Sequence, residues 1–367
     1  MNSKRLNLIL IFGGRSGEHD VSVMSARSVL AAIDQEKYQL WQIGITRDGD
    51  WLTGKNPLVA FENKDFSSLS PAIITKEGNK TSLSCLNNGA LQKISDIDVI
   101  FPILHGTFGE DGTIQGYFEM LDVAYVGAGV LGSSLAMDKG MCKDILRALD
   151  FPVLEYQVFN RHLIETEIET VASQAETIAK YPLFIKPANL GSSVGISKAK
   201  NREQLLNGLK LAAQYDRRIL VERGIDAREI EVSVLGNNNP IVSVPGEVIP
   251  GDEFYSYADK YFDGIAKTLV PADLSESTIK RIQNIALQVY QATDCAGMAR
   301  VDFLVDKHSG EVFFSEINTI PGFTPISMFP KLLAYSGISY PELIDRLIDL
   351  ALQRKADRDK TLRRPKA

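Results

Sequence analysis

Apolar and polar positions change period along this chain, and the changes mark its elements. Leu6 to Phe12 is an almost unbroken apolar run, the pattern of a strand buried on both faces. Glu18 to Ile33 then carries helical spacing, Leu40 to Thr46 reads as a second strand, and a less regular stretch follows before Asp98 to Leu104 resumes the strand pattern. Strands alternating with helices predict an α/β, doubly wound and mostly parallel sheet over residues 1–135. Gly127, Gly129 and Gly132 lead into a predicted helix from Ser133 to Leu149, and Phe151-Pro152 breaks the pattern. A central segment, 136–225, adds a helix over Glu165 to Lys180, strands Leu183 to Lys186 and Arg218 to Glu222, and the glycine-rich run Asn189 to Gly195. The last segment, 226–367, opens with strand Glu229 to Leu235. Its long polar stretch, Pro250 to Gly264, has the length of a functional lid or a disordered loop. Ser275 to Thr293 is a predicted amphipathic helix with Asp273 and Glu276 resembling a capping box, and Gly297 is expected to end it.

Composition narrows the class. The 367 residues carry 44% hydrophobic and 23% charged side chains, ordinary for a globular chain with a large core. Forty basic against 46 acidic residues leave a net charge of -6, which excludes a general attraction for nucleic acid or anionic lipid. Cys85, Cys142 and Cys295 are odd in number and widely spaced, so no disulfide framework or zinc site is implied, and a reducing cytoplasm is expected. Lys4-Arg5 and the apolar run after them faintly imitate a secretion signal, but Gly13-Gly14 interrupts it and no cleavage motif follows. No apolar run reaches the roughly 18 residues of a membrane helix. The basic tail from Arg354 to Lys366 reads as a solvated end.

The most specific chemistry lies in Met298 to Val305 and Val312 to Asn318, two strand patterns joined by the turn residues Asp306 to Glu311. Alternation puts Arg300 and Asp302 on one face of the first strand, and Glu316 and Asn318 on one face of the second. With Asp306 opposite Val312, Asp302 faces Glu316 and Arg300 faces Asn318. Two facing carboxylates and an amide oxygen, without His or Cys, suit Mg²⁺ or Mn²⁺, and Mg²⁺ in turn implies a phosphate-bearing ligand. A solvated face with an Arg-Asp pair explains the same spacing equally well. Lys186-Pro187 with Gly191-Ser192-Ser193-Val194-Gly195 joins a cation to a loop whose amides can approach phosphate, although a surface turn has the same composition. Gly13 to Gly17 follows a strand and opens a helix, a geometry for anions, yet lacks the dinucleotide fingerprint. His19 and His105 fall outside any metal-ligand spacing and read first as satisfied polar residues.

Taken in order, these residues resemble the D-alanine:D-alanine ligases of the ATP-grasp superfamily. The resemblance runs from Phe12-Gly13-Gly14-Arg15-Ser16-Gly17-Glu18-His19-Asp20 through His105 to Gly112, Met137-Asp138-Lys139, Lys186 to Asn189 and Gly191 to Gly195, to Glu316-Ile317-Asn318-Thr319-Ile320-Pro321-Gly322-Phe323-Thr324. It implies an ATP-grasp fold, with α+β character overall, in which two α+β domains after the N-terminal one enclose ATP. Lys139 and Lys186 are then expected to bind phosphates, and Glu222, Ile225 and Glu229 to hold adenine and ribose. Asp302, Glu316 and Asn318 would bind two Mg²⁺ or Mn²⁺ ions. The first D-alanine would meet Glu18 and His105, with Arg300 and the Gly322 amide as oxyanion hole; Ser327 and Met328 would receive the second. Lys260 would reach the γ-phosphate from the lid, and Glu18, Ser192 and Tyr261 would form a hydrogen-bonded triad.

The implied reaction makes D-alanyl-D-alanine for peptidoglycan through a D-alanyl phosphate, with ATP and D-alanine as the partners and a homodimer expected. Arg223 departs from the lysine frequent beside the adenine pocket. The absence of histidine between His162 and His308 favours an amine over a hydroxyl acceptor. The competing readings are a D-alanine:D-lactate ligase and a nucleotide-binding regulatory protein without catalysis.

Overall fold

The computed structural model describes residues 5–249 and 267–362; Lys260 and Tyr261, with the rest of the expected lid, lie outside the described residues. The first strand, β1 (Leu6–Gly13), shows why an unbroken apolar run becomes a central strand. Leu8, Leu10 and Phe12 enter one core, while Ile9 and Ile11 enter another on the opposite face. After α1 (His19–Ala32), β2 (Tyr38–Ile45) pairs parallel with one edge of β1, and β7 (Val99–Ile103) pairs parallel with the other. α3 (Thr113–Leu121) then leads to β8 (Ala124–Tyr125), parallel to β7.

The sheet is mixed rather than mostly parallel. The stretch expected to be irregular folds as β3 (Trp51–Gly54), α2 (Pro57–Asn63), β4 (Leu69–Glu77), β5 (Lys80–Asn87) and β6 (Ala90–Asp96), and these strands extend β2 in an antiparallel meander. Polar and apolar side chains are mixed on their exposed positions, where Ile73, Leu86 and Leu91 face solvent, so the period-two signal is diluted.

The predicted helix over 133–149 is two helices, α4 (Val130–Met137) and α5 (Lys139–Ala148). Asp138 separates them with extended backbone, and its carboxylate accepts the Met141 amide as an N-cap. β9 (Tyr156–Asn160) follows, and the helix expected over 165–180 is α6 (Arg161–Thr166) and α7 (Ile168–Ala175). β10 (Leu183–Pro187), β11 (Ser197–Ala199), α8 (Arg202–Tyr215) and β12 (Arg218–Arg223) complete an antiparallel sheet ordered β11-β10-β12-β9. Leu183, Ile185, Ile219 and Val221 bury one face against α7 and α8. The opposite face carries Phe184, Lys186 and Glu222.

A third sheet runs β16 (Lys267–Leu269), β15 (Gly246–Ile249), β13 (Ala227–Gly236), β17 (Gly297–Asp306) and β18 (Val312–Asn318), with β14 (Ile241–Val242) beside β13. Ile230, Val232, Ala299, Val301 and Phe303 pack on α9 (Glu276–Ala292). The cap of α9 is Ser275, whose hydroxyl accepts the Thr278 amide, rather than Asp273. Gly297 does not end α9 but starts β17, with φ at +73° and the Gly127 backbone close against the side a Cβ would occupy. α10 (Met328–Tyr335) and α11 (Tyr340–Arg358) close the described chain. Leu343, Ile344, Leu347 and Ile348 of α11 share the core of Leu8, Leu10 and Phe12, so the end of the chain covers the first sheet. Each such fully buried aliphatic side chain contributes roughly 1.5–3 kcal/mol.

Candidate active site

The polar faces of the second and third sheets enclose a cavity of about 650 Å³. Lys186, Glu222, Ile225, Glu229, Arg300, Asp302 and Glu316 all line it. At its acidic end the hairpin register places Asp302 opposite Glu316 and Arg300 opposite Asn318, as alternation predicts. The register assumed at the turn is off by one: Val312 pairs with Val305, not Asp306. A bulge at Ser315, the extra residue between the Asp302–Glu316 and Phe303–Phe314 pairs, absorbs the difference.

Arg300 grips Asp302 through two bonds, Nε to Oδ1 at 2.8 Å and Nη2 to Oδ2 at 2.6 Å, and meets Glu231 at 3.1 Å. Asn318 Nδ2 donates to Asp302 Oδ2 at 3.1 Å, and Lys139 Nζ lies 3.3 Å from Glu316. Burial opposes the Arg300 charge, but Asp302 and Glu231 hold its pKa well above the ordinary value. Among the described residues no cluster of three or more His, Cys, Asp or Glu side chains forms a metal cage. The donor set is instead two facing carboxylates and an amide oxygen, hard ligands that fit Mg²⁺ or Mn²⁺ alongside ligands from a bound phosphate.

At the other end, Glu222 is buried between two ammonium groups, Lys186 on one oxygen and Lys143 at 3.0 Å on the other. Burial would raise this carboxyl, yet the two lysines outweigh it and hold it at about 2. Burial acts to lower Lys186, and Glu222 more than reverses that. Lys139 also donates to the Leu190 carbonyl at 2.8 Å, tying α5 to the glycine-rich loop. The Arg223 side chain turns to Glu155 at 3.0 Å and lies over the Phe313 ring.

The glycine-rich loop meets the first sheet through Ser192, whose hydroxyl donates to Glu18. A Cβ on Gly191 or on Gly106 would lie 2.6 Å from Glu18 Oε2, so the carboxylate sits between two backbones and would have to move if either carried a side chain; Gly106 also holds a positive φ of +74°. Ser192 and Ser193 both hold positive φ, a strained conformation of the kind found at ligand clamps. His105 is buried, and burial lowers its pKa. Both ring nitrogens are engaged, Nδ1 with the Ile320 carbonyl at 2.8 Å and Nε2 with Ser25 at 3.2 Å. His19 is likewise satisfied, through the Gly14 carbonyl.

Gly322, Ser327 and Met328 sit on the segment after β18, outside the lining of the cavity. Ser327 accepts the Thr324 amide at 3.1 Å, and the Met328 side chain is packed against Val248 and Leu332, leaving only its backbone for a ligand. A larger cavity, about 930 Å³, lies beside Gly14, Arg15, Trp51, His105 and Tyr117 and lacks the lysines and facing carboxylates.

The chain matches known proteins over nearly its whole length. The profile described as D-ala D-ala ligase N-terminus matches residues 7–128, and that described as D-ala D-ala ligase C-terminus matches 145–349. The chain belongs to the D-Ala–D-Ala ligase family. A D-alanine--D-alanine ligase of Natranaerobius thermophilus is 47% identical over 97% of this chain and 98% of the relative. One from Chloroherpeton thalassium is 48% identical over 98% and 99%. The solved D-alanine-D-alanine ligase of Coxiella burnetii superposes with a TM-score of 0.82 at 36% identity, over 98% of this chain and 97% of that one. The VanG D-Ala:D-Ser ligase of Enterococcus faecalis gives 0.82 at 33% identity, over 95% and 100%.

Three polar residues of the site were not singled out from the sequence. Lys143 lies one turn beyond Lys139 on α5, Glu231 alternates with Glu229 on β13 opposite Asp302, and Glu110 sits inside the His105 to Gly112 motif. Glu110 accepts the Gly106 and Ile320 amides, each at 2.8 Å. Burial, then the nearby Glu18 charge, pushes it up to about 8. Spacing of i+4 and i+2 from predicted site residues was the available signal. Cys142 and Cys295 are buried thiols pushed up to about 12 by that burial, far from the reactive range. Among the described residues no helix is long and apolar enough to cross a membrane.

Proposed function

We propose that this chain joins two D-alanine molecules at the expense of ATP, by way of a D-alanyl phosphate. The observation that carries the reading is one cavity holding Lys186 and Glu222 at one end and Arg300, Asp302 and Glu316 at the other. Cations for a polyphosphate and hard oxygen donors for its counter-ion stand together there.

Lys139 and Lys186 screen the phosphates while the carboxylate of the first D-alanine attacks the γ-phosphorus, expelling ADP. Ile225, Glu222 and Glu229 frame the adenosine end of the cavity. Asp302, Glu316 and Asn318 would hold two divalent cations, which when bound neutralise phosphate charge and polarise the transferred group. Glu18, oriented by Ser192, takes the ammonium of the first D-alanine, and His105 fixes the loop beside it. Arg300 and the Gly322 amide stabilise the oxyanion that forms when the second amine attacks the acyl carbon and phosphate leaves. Ser327 and the Met328 amide, at the N-terminus of α10, suit the carboxylate of that second amino acid. Lys260 and Tyr261 complete the reading as lid residues that contact the γ-phosphate and the Glu18–Ser192 pair, excluding water from the acyl phosphate. The three sheets would then act as an amino-acid-binding unit and two nucleotide-clasping units, in a cytoplasmic homodimer.

The test is phosphate release from ATP and Mg²⁺ with D-alanine, L-alanine, D-serine or D-lactate, each product identified by mass. D-alanyl-D-alanine formed only from the D-isomer supports the reading. Turnover only with D-serine or D-lactate as second substrate would reassign the acceptor, and no turnover in a chain that still binds ATP would leave a regulatory protein.

A further inference from the structure

Lys143 is a buried cation for which the reaction above has no use. Its side chain is 2% exposed, on α5, with Nζ at 3.0 Å from Glu222 Oε2 and 3.5 Å from the Phe314 carbonyl. The rings of Tyr156 and Phe314 flank it, each with its centroid at 6.0 Å. Glu222 gives its other oxygen to Lys186, which is 16% exposed and lines the cavity. One buried carboxylate is thus shared by two ammonium groups, one sealed in protein and one facing the ligand space.

A single lysine would neutralise Glu222, and burying a second charge opposes folding. The surplus has a use if one of the two cations must leave. We propose that Lys143 is the standing counter-ion of Glu222 and a positioning residue for Lys186, allowing Lys186 to turn to nucleotide phosphates without stranding a buried carboxylate. This rests on the reading of Lys186 as a phosphate ligand. Without Lys143, Lys186 would be the sole partner of Glu222, and each movement toward phosphate would expose an unpaired buried anion. With adenosine alone Lys186 stays on Glu222 and the carboxylate keeps a partner, so the effect falls on phosphate recognition.

The experiment compares affinities of the full chain for a non-hydrolysable ATP analogue and for adenosine by calorimetry, with thermal melts to check folding. Lys143→Met is expected to weaken the analogue about tenfold while adenosine changes less than about twofold. In a Glu222→Gln background, which sets its own adenosine baseline, adding Lys143→Met is expected to leave the analogue-to-adenosine ratio of the single Glu222→Gln variant where it was, because no charge is left to strand. If the methionine variant does not fold, Lys143→Gln, which keeps a donor for the Phe314 carbonyl, carries the same comparison. Equal weakening of both ligands, or an unchanged ratio, would overturn the proposal in favour of a packing role. Lys186→Met is the control: if it leaves the ratio unchanged, the phosphate reading itself fails and takes this proposal with it.

Discussion

His105 and Ile320 are joined across 215 residues of sequence by a 2.8 Å hydrogen bond from ring Nδ1 to a backbone carbonyl. A carbonyl only accepts, so Nδ1 carries the proton, and the neutral ring presents Nε2 to the Ser25 hydroxyl at 3.2 Å. Ser25 in turn accepts the Phe323 amide at 3.4 Å. The loop beside Glu18 is therefore fastened to the segment containing Gly322 on both sides of that glycine. His105→Ala leaves the Ile320 carbonyl unpaired and loosens this segment. The expected result is a kcat lower by about 10–100-fold with ATP affinity unchanged, the signature of a misplaced oxyanion donor. Steady-state kinetics with nucleotide binding measured separately would decide.

Glu110 fastens the same residue through its other backbone group, accepting the Ile320 amide. Its pKa is raised from 4.5 to about 8, first by burial and then by the Glu18 charge. A raised carboxyl means the folded state holds a proton that the unfolded chain has released. This group therefore contributes stability that is fully present below about 4.5 and is lost as pH rises through about 8. Glu110→Gln removes that term. Urea melts of the two proteins should show the wild type losing ground to the variant as pH rises across this window, and parallel pH profiles would count against the assignment.

The acidic end of the cavity gives a metal prediction. Asp302→Asn keeps shape and a donor oxygen but removes one of two facing charges. The Mg²⁺ concentration for half-maximal phosphate release should rise about tenfold or more, with a smaller shift for Asn318→Ala. Chelation should abolish turnover, and added Mn²⁺ should restore it.

How much of this was legible beforehand depended on whether the signal was local. Arg300, Asp302, Glu316 and Asn318 were placed on one patch by strand alternation, and the pairing of Asp302 with Glu316 holds although the turn register does not. The bulge at Ser315 has no sequence mark, and two displacements of one residue happened to cancel. Lys143 was hidden for another reason: one helix was read through Asp138, so Lys139 did not stand out as a first helical residue with Lys143 one turn below it. Its partner Glu222 arrives from β12 in a different sheet, which no periodicity reports. The β4 to β6 meander has no clean alternation to read, because polar and apolar side chains are interspersed on both faces of β4 and β6 and Ile73 and Leu91 face solvent.

Arg300 separates stability from catalysis. It contacts both Glu231 and Asp302, so Arg300→Met leaves two carboxylates without their guanidinium and should destabilise the fold by about 3–5 kcal/mol. Arg300→Lys retains the charge and should recover much of that stability, but a point charge lacks the planar fork. Its kcat should remain lower by about 10²–10³-fold. Chemical denaturation and single-turnover phosphate release, run on both variants, read the two effects independently.

The wedge around Glu18 predicts an order of severity between neighbouring substitutions. Ser192→Ala deletes one hydrogen bond to Glu18 and leaves the backbone free to keep its course. Gly191→Ala introduces a methyl group 2.6 Å from Glu18 Oε2, and the glycine's backbone needs no positive φ, so space alone is tested. The carboxylate must swing away, or the loop carrying Ser192 and Ser193 must lift from the first sheet. The KM for D-alanine should accordingly rise several-fold in Ser192→Ala and about tenfold further in Gly191→Ala. Nucleotide KM, which on the proposed reading depends on Lys139 and Lys186, should move far less in the serine variant than in the alanine-for-glycine variant, where the whole loop is displaced. If Ser192→Ala proves the more damaging of the two for D-alanine, Glu18 is held by its hydrogen bond rather than by the glycine walls.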